Sequence, residues 1–194
     1  MIVEGIVATL NPDGSVNIAP MGPMVETSER GAVGGLLWRR LTLRPFRTST
    51  TFANLERTGR AVFHVTDDVE LLAKAAIGAL DPLPPLEPTP DFPVPRLADA
   101  CHWHAVEIES ADLAAERATF VARVVAWGRL RDFPGFNRAK HAVVEAAILA
   151  TRVGIVPRET IDTQFAMLKQ WVDKTGGEAE RRAFSLLADY VRGR

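Results

Sequence analysis

The sequence predicts an α+β fold, mainly β, either as an open α+β arrangement or as a barrel carrying a helical cap. Three observations carry that expectation. Short β-branched runs separated by turn residues fill the first third, a segment of strict apolar alternation spans 118–130, and three stretches of helical spacing follow residue 136. A chain of 194 residues is long enough for one well-buried core, here expected as a domain over 1–135 with a Pro-rich insertion at 81–97, and a helical extension over 136–194.

Residues 2–10 are rich in Ile, Val and Thr, the turn sequence NPDG follows at 11–14, and SVNIAP resumes an extended run, which predicts a hairpin. Pro20 and Pro23 are expected to prevent regular pairing in the later part of that second strand. A strand over 35–43, GLLWRRLTL, comes next. TSTTFANLERTG then opens on hydroxyls and closes on glycine, the chemistry of a short helix, and RAVFHVTD returns to strand. Residues 68–80 read as a helix opening near Asp67 or Asp68. The stretch 81–95 holds seven of the thirteen prolines and is expected to be an extended surface loop without ladder hydrogen bonds, a connector rather than a lid.

Two long strands are expected near 101–110 and 117–131. In the second, Ala118, Phe120, Ala122, Val124, Ala126 and Leu130 share one face, with Arg123 and Arg129 on the other. Three helices close the chain: FNRAKHAVVEAAILATR, RETIDTQFAMLKQWVDKTG and EAERRAFSLLADYVRG. Ile161, Phe165, Leu168 and Val172 mark the buried stripe of the middle one. Trp38, Trp103, Trp127 and Trp171 are expected to fill core or subunit contacts.

Charge and motifs exclude several functions. With 23 basic against 24 acidic residues, the chain has no overall field for nucleic acid or an anionic membrane, so any anion site is local. The single cysteine, Cys101, excludes an internal disulfide and a cysteine-rich zinc site, and fits a reducing compartment. MIVEGIVATL reads as a strand rather than a signal peptide, and AVVEAAILATRVGIV is interrupted by Glu145 and Arg152, so a cytoplasmic protein is expected. No GxSxG, GKS or GKT, HExxH or GxGxxG occurs.

One local cluster does suit an anion. RPFRTSTTFANL, residues 44–55, places Arg44, Arg47, Thr48, Ser49, Thr50 and Thr51 at a helix start, where guanidinium groups, hydroxyls and unpaired N–H groups can converge on a phosphate. The same residues would also serve a plain helix cap with solvated arginines. SVNIAPMGPMV, residues 15–25, is uncharged and broken by proline and glycine, so its backbone could read the edge of a flat heteroaromatic ring; an irregular strand end is the simpler alternative.

The order and spacing of EGIVATLNPDGSVNIAPMG and RPFRTSTTFANLERTGRAVFHVTDD resemble the FMN-binding split-barrel superfamily of flavin reductase-like proteins. The resemblance is narrowest to a branch of unknown function with a similar asparagine-x-alanine-proline strand and threonine-rich helix start. It covers about the first 70 residues, with FNRAKHAVVEAAILATR similar to the family's later helix. It implies an antiparallel split barrel with a C-terminal helical extension, a homodimer, and FMN near the subunit interface. Carried over by position, Arg47, Thr48, Ser49, Thr50 and Thr51, with Arg44 beside them, would hold the phosphate, and Asn17, Ala19, Pro20, Met21 and Gly22 would line the ring.

The implied activity is an FMN-dependent oxidoreductase of unknown substrate, with no catalytic side chain evident. A flavin- or pterin-binding carrier or sensor, or an interaction protein that has lost FMN, are the alternatives. His102 and His104 fall on one side of a strand, as a metal pair would, yet a further ligand could come only from His64 or His141 through a fold contact, and no metal site is expected. Glu145 is a candidate inward carboxylate, with Arg138 or Arg152 expected to pair with it.

Overall fold

The computed structural model describes residues 1–25 and 38–194, so residues 35–37 of the strand expected over 35–43 lie outside the described residues. The chain divides into two units, residues 1–66 with 85–132, and residues 67–84 with 133–194. The helical unit thus takes in 67–84 as well as the C-terminal segment.

The first unit is built on a seven-stranded antiparallel sheet that forms a half-barrel, in the order β2-β1-β5-β8-β9-β4-β3. Its strands are β1 Gly5–Leu10, β2 Val16–Met21, β3 Met24–Val25, β4 Arg40–Leu43, β5 Arg60–Val65, β8 His102–Asp112 and β9 Thr119–Arg129. The β1–β2 turn forms as its residues dictate. Gly14 takes φ +84, and Asp13 Oδ1 accepts from both the N–H and the hydroxyl of Ser15 at 2.9 and 2.6 Å.

Pro20 does not stop β2, which pairs through Pro20↔Ile6 to Met21↔Gly5. β2 is an edge strand and needs partners on one side only, where a missing N–H is tolerated. Val7, Leu41, Leu43, Phe52, Phe63, Val106, Phe120 and their neighbours form the core on one face of this sheet. Leu130 does not join it: the chain leaves β9 at Arg129, and Leu130 is 37% exposed.

Helix α1, Thr50–Thr58, is bounded as its sequence demands. Ser49 Oγ accepts from the Phe52 N–H at 3.1 Å, and Gly59, at φ +64, closes the C-terminus by donating to Leu55 O. The proline-rich stretch departs from the expected loop. β6 Leu86–Thr89 and β7 Phe92–Leu97 pair antiparallel through Leu86↔Leu97, Glu87↔Arg96 and Thr89↔Phe92, with an irregularity at Pro88. A two-stranded ribbon consists of edges, so its prolines remove few ladder bonds.

The second unit comprises α2 Val69–Ala76, α3 Arg138–Ala150, α4 Arg158–Thr175 and α5 Glu178–Arg192. Ala139, Ala142, Ala146, Ala147 and Ala150 are buried along α3, and small side chains permit close helix approach. Ile161, Phe165, Leu168 and Val172 are the buried stripe of α4, whereas Trp171 is 38% exposed. Lys140 donates to Asp67 Oδ2 at 2.9 Å and stands 3.3 Å from Glu180 Oε1, joining the residues around α2, α3 and α5. Glu145 is exposed and pairs with neither Arg138 nor Arg152, so it is no inward carboxylate. Among the described residues, no helix is long and apolar enough to cross a membrane.

Candidate functional site

The two segments singled out in the sequence meet in the first unit. Asn17 on β2 and Thr51 on α1, 34 residues apart, are joined by a hydrogen bond in which Asn17 Nδ2 donates to Thr51 Oγ1 at 3.1 Å. The contact forms because β2 and α1 both pack against β1. Asn17 pairs with Thr9 in the β1–β2 ladder, and α1 packs its Thr51 and Asn54 side toward the same strand.

At the helix start, several donors are left over. Among the described residues, the Thr48, Thr50 and Thr51 N–H groups have no backbone acceptor, while Ser49 Oγ takes the Phe52 N–H and Ser49 O the Ala53 N–H. Thr48 and Thr50 are exposed, with hydroxyls that make no hydrogen bond among the described residues. Unpaired N–H groups, free hydroxyls and the positive end of α1 together suit an anion.

The six residues of the cluster do different work. Ser49 caps the helix and also donates to Phe46 O at 2.7 Å, so its hydroxyl is already engaged. Thr51 is buried and its hydroxyl faces Asn17, leaving its N–H toward the helix end. Arg47 is exposed but held in place: Nη1 donates to Leu113 O at 3.0 Å, its N–H to Glu116 O at 3.2 Å, and its guanidinium lies 6.0 Å from the Phe52 ring. Arg44 is exposed and has no partner among the described residues.

On β2, Asn17, Ala19 and Met21 share one face, opposite Thr9, Val7 and Gly5, and Ala19 and Met21 lean on the core. Pro20 points to the other face. The outer backbone edge of β2 pairs with no other strand among the described residues. A Cβ at Gly22 would lie 2.7 Å from Ile2 Cγ2 and 2.9 Å from both Glu4 carboxylate oxygens, so those side chains would have to shift to admit one.

Sequence reasoning missed the residues beneath this surface. Asn54 Nδ2 donates to Thr9 Oγ1 at 3.1 Å and to Asn11 Oδ1 at 2.8 Å, and Asn17 Nδ2 also donates to Thr9 Oγ1 at 3.1 Å. A signal was available, since asparagine is a poor residue for a helix interior unless its amide has a specific partner.

The histidines lie elsewhere. His102 and His104 share one face of β8, and His104 is fully buried, its ring 5.3 Å from that of Trp38. Neither His104 nitrogen has a partner among the described residues, and burial lowers its pKa to about 4. Burial also lowers His102, with Arg129 adding to the effect. No group of three His, Cys, Asp or Glu able to hold a metal occurs among the described residues. Cys101 is fully buried.

Two family models match: the N-terminal domain of a protein of unknown function (DUF447) over residues 3–131, and a second DUF447 model over 137–189. No curated protein matches. An FMN-bound protein of Methanosarcina mazei, matched by the same family model, superposes with a TM-score of 0.81 at 23% identity over 97% of this chain and 94% of that one. A flavin reductase domain protein of Arthrobacter sp. FB24 gives 0.55 at 19% identity over 68% and 79%. The styrene monooxygenase flavin reductase of Pseudomonas putida S12 gives 0.52 at 18% over 67% and 82%. The half-barrel of the first unit is therefore a split barrel.

Proposed function

The chain belongs to the DUF447 family, and from that premise we propose that it binds FMN and acts as a flavin-dependent oxidoreductase, as a homodimer with the flavin near the subunit interface. The single observation that carries this reading is the Asn17–Thr51 hydrogen bond of 3.1 Å, which sets the uncharged β2 strand beside an anion-binding helix start. The FMN-bound relative and the flavin reductases of similar fold support it.

The residues fit such a group. Thr48 and Thr50 would offer hydroxyls and N–H groups to the phosphate, Thr51 its N–H, and Arg47 and Arg44 their charge. The outer backbone edge of β2 would read the polar rim of the ring, with the partly buried Ala19 and Met21 supplying apolar surface. Bound FMN supplies the electron transfer; the chain's part is to anchor and orient it.

A non-catalytic flavin carrier is the second reading. It is favoured by the absence of any carboxylate, imidazole or thiol among the eleven residues assigned to the site.

The deciding experiment is the visible spectrum of the purified protein before and after addition of FMN, with the mass of any chromophore released by denaturation. Flavin bands and a released FMN mass are expected. A colourless protein that takes up no FMN overturns the reading. Bleaching by a reduced nicotinamide then separates enzyme from carrier.

A further inference from the structure

Beneath the proposed FMN site lies a polar network centred on three buried side chains. Thr9, Thr51 and Asn54 are 0, 3 and 2% exposed. Thr9 Oγ1 is its hub, accepting from Asn17 Nδ2 and Asn54 Nδ2, each at 3.1 Å. Asn17 Nδ2 reaches on to Thr51 Oγ1 at 3.1 Å, and Asn54 Nδ2 to Asn11 Oδ1 at 2.8 Å, at the start of the β1–β2 turn. Four segments are thereby tied together: β1, its turn, β2 and the first turn and a half of α1.

We propose that Thr9 and Asn54 are positioning residues for FMN, fixing the phosphate-binding start of α1 against the β2 strand that meets the ring. This rests on the FMN reading above. Neither residue reaches the ligand; each acts through Thr51 and Asn17, whose amide and hydroxyl orientations the network dictates. Asn54 lies three and four residues beyond Thr51 and Thr50, on the helix face directly beneath them. Losing its anchor frees the helix start to tilt, and the donors around Thr48–Thr51 lose their common aim. A phosphate needs several donors at once, so its binding suffers more than that of the ring, which depends on the β2 backbone.

That asymmetry supplies the test. Dissociation constants for FMN and for riboflavin, which has no phosphate, are measured by flavin fluorescence for the full chain and three variants, alongside their melting temperatures. Thr9→Val keeps the side chain's shape and removes the hydroxyl; Thr9→Ser keeps the hydroxyl; Asn54→Ala removes the amide.

The expected result is that Thr9→Val and Asn54→Ala weaken FMN by roughly tenfold, the scale of one or two buried hydrogen bonds, with riboflavin changing much less. Thr9→Ser should retain the original FMN-to-riboflavin ratio. A ratio unchanged in Thr9→Val and Asn54→Ala, even with lowered melting temperatures, overturns the positioning role and leaves these residues purely structural. Should Thr9→Val not fold, the ratio in Asn54→Ala decides alone. If the unaltered protein binds neither flavin, the FMN reading itself fails and takes this role with it. Binding of FMN with an unmoved ratio removes only the role.

Discussion

Two parts of the split-barrel unit handle buried polar groups in opposite ways. Around Thr9, both asparagine amides find oxygen acceptors within 3.1 Å, and the network joins four segments. Near the start of β8, His104 is as deeply buried, yet neither ring nitrogen has a partner among the described residues. His64, on the adjacent strand β5, provides the control. Also 0% exposed, it receives the Leu97 N–H on Nε2 at 3.0 Å and lies with Nδ1 3.2 Å from Ile6 O, which fixes the proton on Nδ1. Burial is therefore shared by these groups and satisfaction is not. Satisfaction decides which of them holds the fold together, because an unpaired buried group costs its desolvation with no return.

Acid should produce the largest effect. Burial lowers His64 to about 3 and His104 to about 4, from an ordinary value near 6.5. Below that ordinary value the unfolded chain takes up protons that the folded chain refuses. The stabilising contribution of each neutral ring is thus complete above pH 6.5 and is lost as pH falls toward the folded values. Each histidine should remove about 1.4 kcal/mol per pH unit in that window. Urea unfolding at pH 7.5, 6.0, 5.0 and 4.5 should give a steep fall over the last three. A flat profile between pH 6 and 4.5 would mean that both rings are open to protonation in the folded chain.

Substitution separates the two histidines next. His64→Leu leaves the Leu97 N–H and the Ile6 carbonyl facing an apolar side chain, and should cost about 2–4 kcal/mol. His104→Leu strands nothing, since no group bonds to the ring, and should leave stability at pH 7.5 within about 1 kcal/mol or raise it. It should also remove one histidine's share of the acid slope. Equal losses for the two variants, read by urea unfolding at pH 7.5, would contradict the distinction.

What could be read from the sequence follows the range of the forces involved. Ser49, Asp68 and Gly59 end their helices through contacts within three or four residues, and the sequence announces each of them. The two segments of the proposed site stand out in the sequence for the same reason. Their union through Thr9 does not, because it depends on the β1–β2 register and on an amide 45 residues from the hydroxyl it meets. Thr51 shows the consequence: composition groups it with Thr48 and Thr50, while packing turns its hydroxyl inward. The β6–β7 ribbon escaped because proline is read as a ladder breaker, a rule that binds in central strands and relaxes at edges. Leu130 was misplaced by extending alternation past the end of β9. The extra residue at Val125, between Ala105↔Ala126 and Val106↔Val124, had already broken that alternation.

The smallest effect belongs to polar groups that water can satisfy. On the outer side of the same sheet, Arg40 donates to Glu109 at 2.7 Å, Arg123 approaches Glu109 and Glu107 at 3.6 and 3.5 Å, and Arg60 reaches Glu107 at 3.3 Å. The Arg40 hydrogen bond holds the Glu109 carboxyl below its ordinary value. Arg40 nevertheless stands directly opposite Arg123 in the ladder, and its side chain is 57% exposed. Removing it loses an ion pair that water replaces and relieves a like-charge pair beside it. Arg40→Gln should leave the urea midpoint unchanged within error at 0.15 M salt, whereas His64→Leu moves it plainly. A substantial loss in Arg40→Gln would show that hydrogen bonds on the wet side of this sheet count as those beneath α1 do, and that burial is not what sets the two apart.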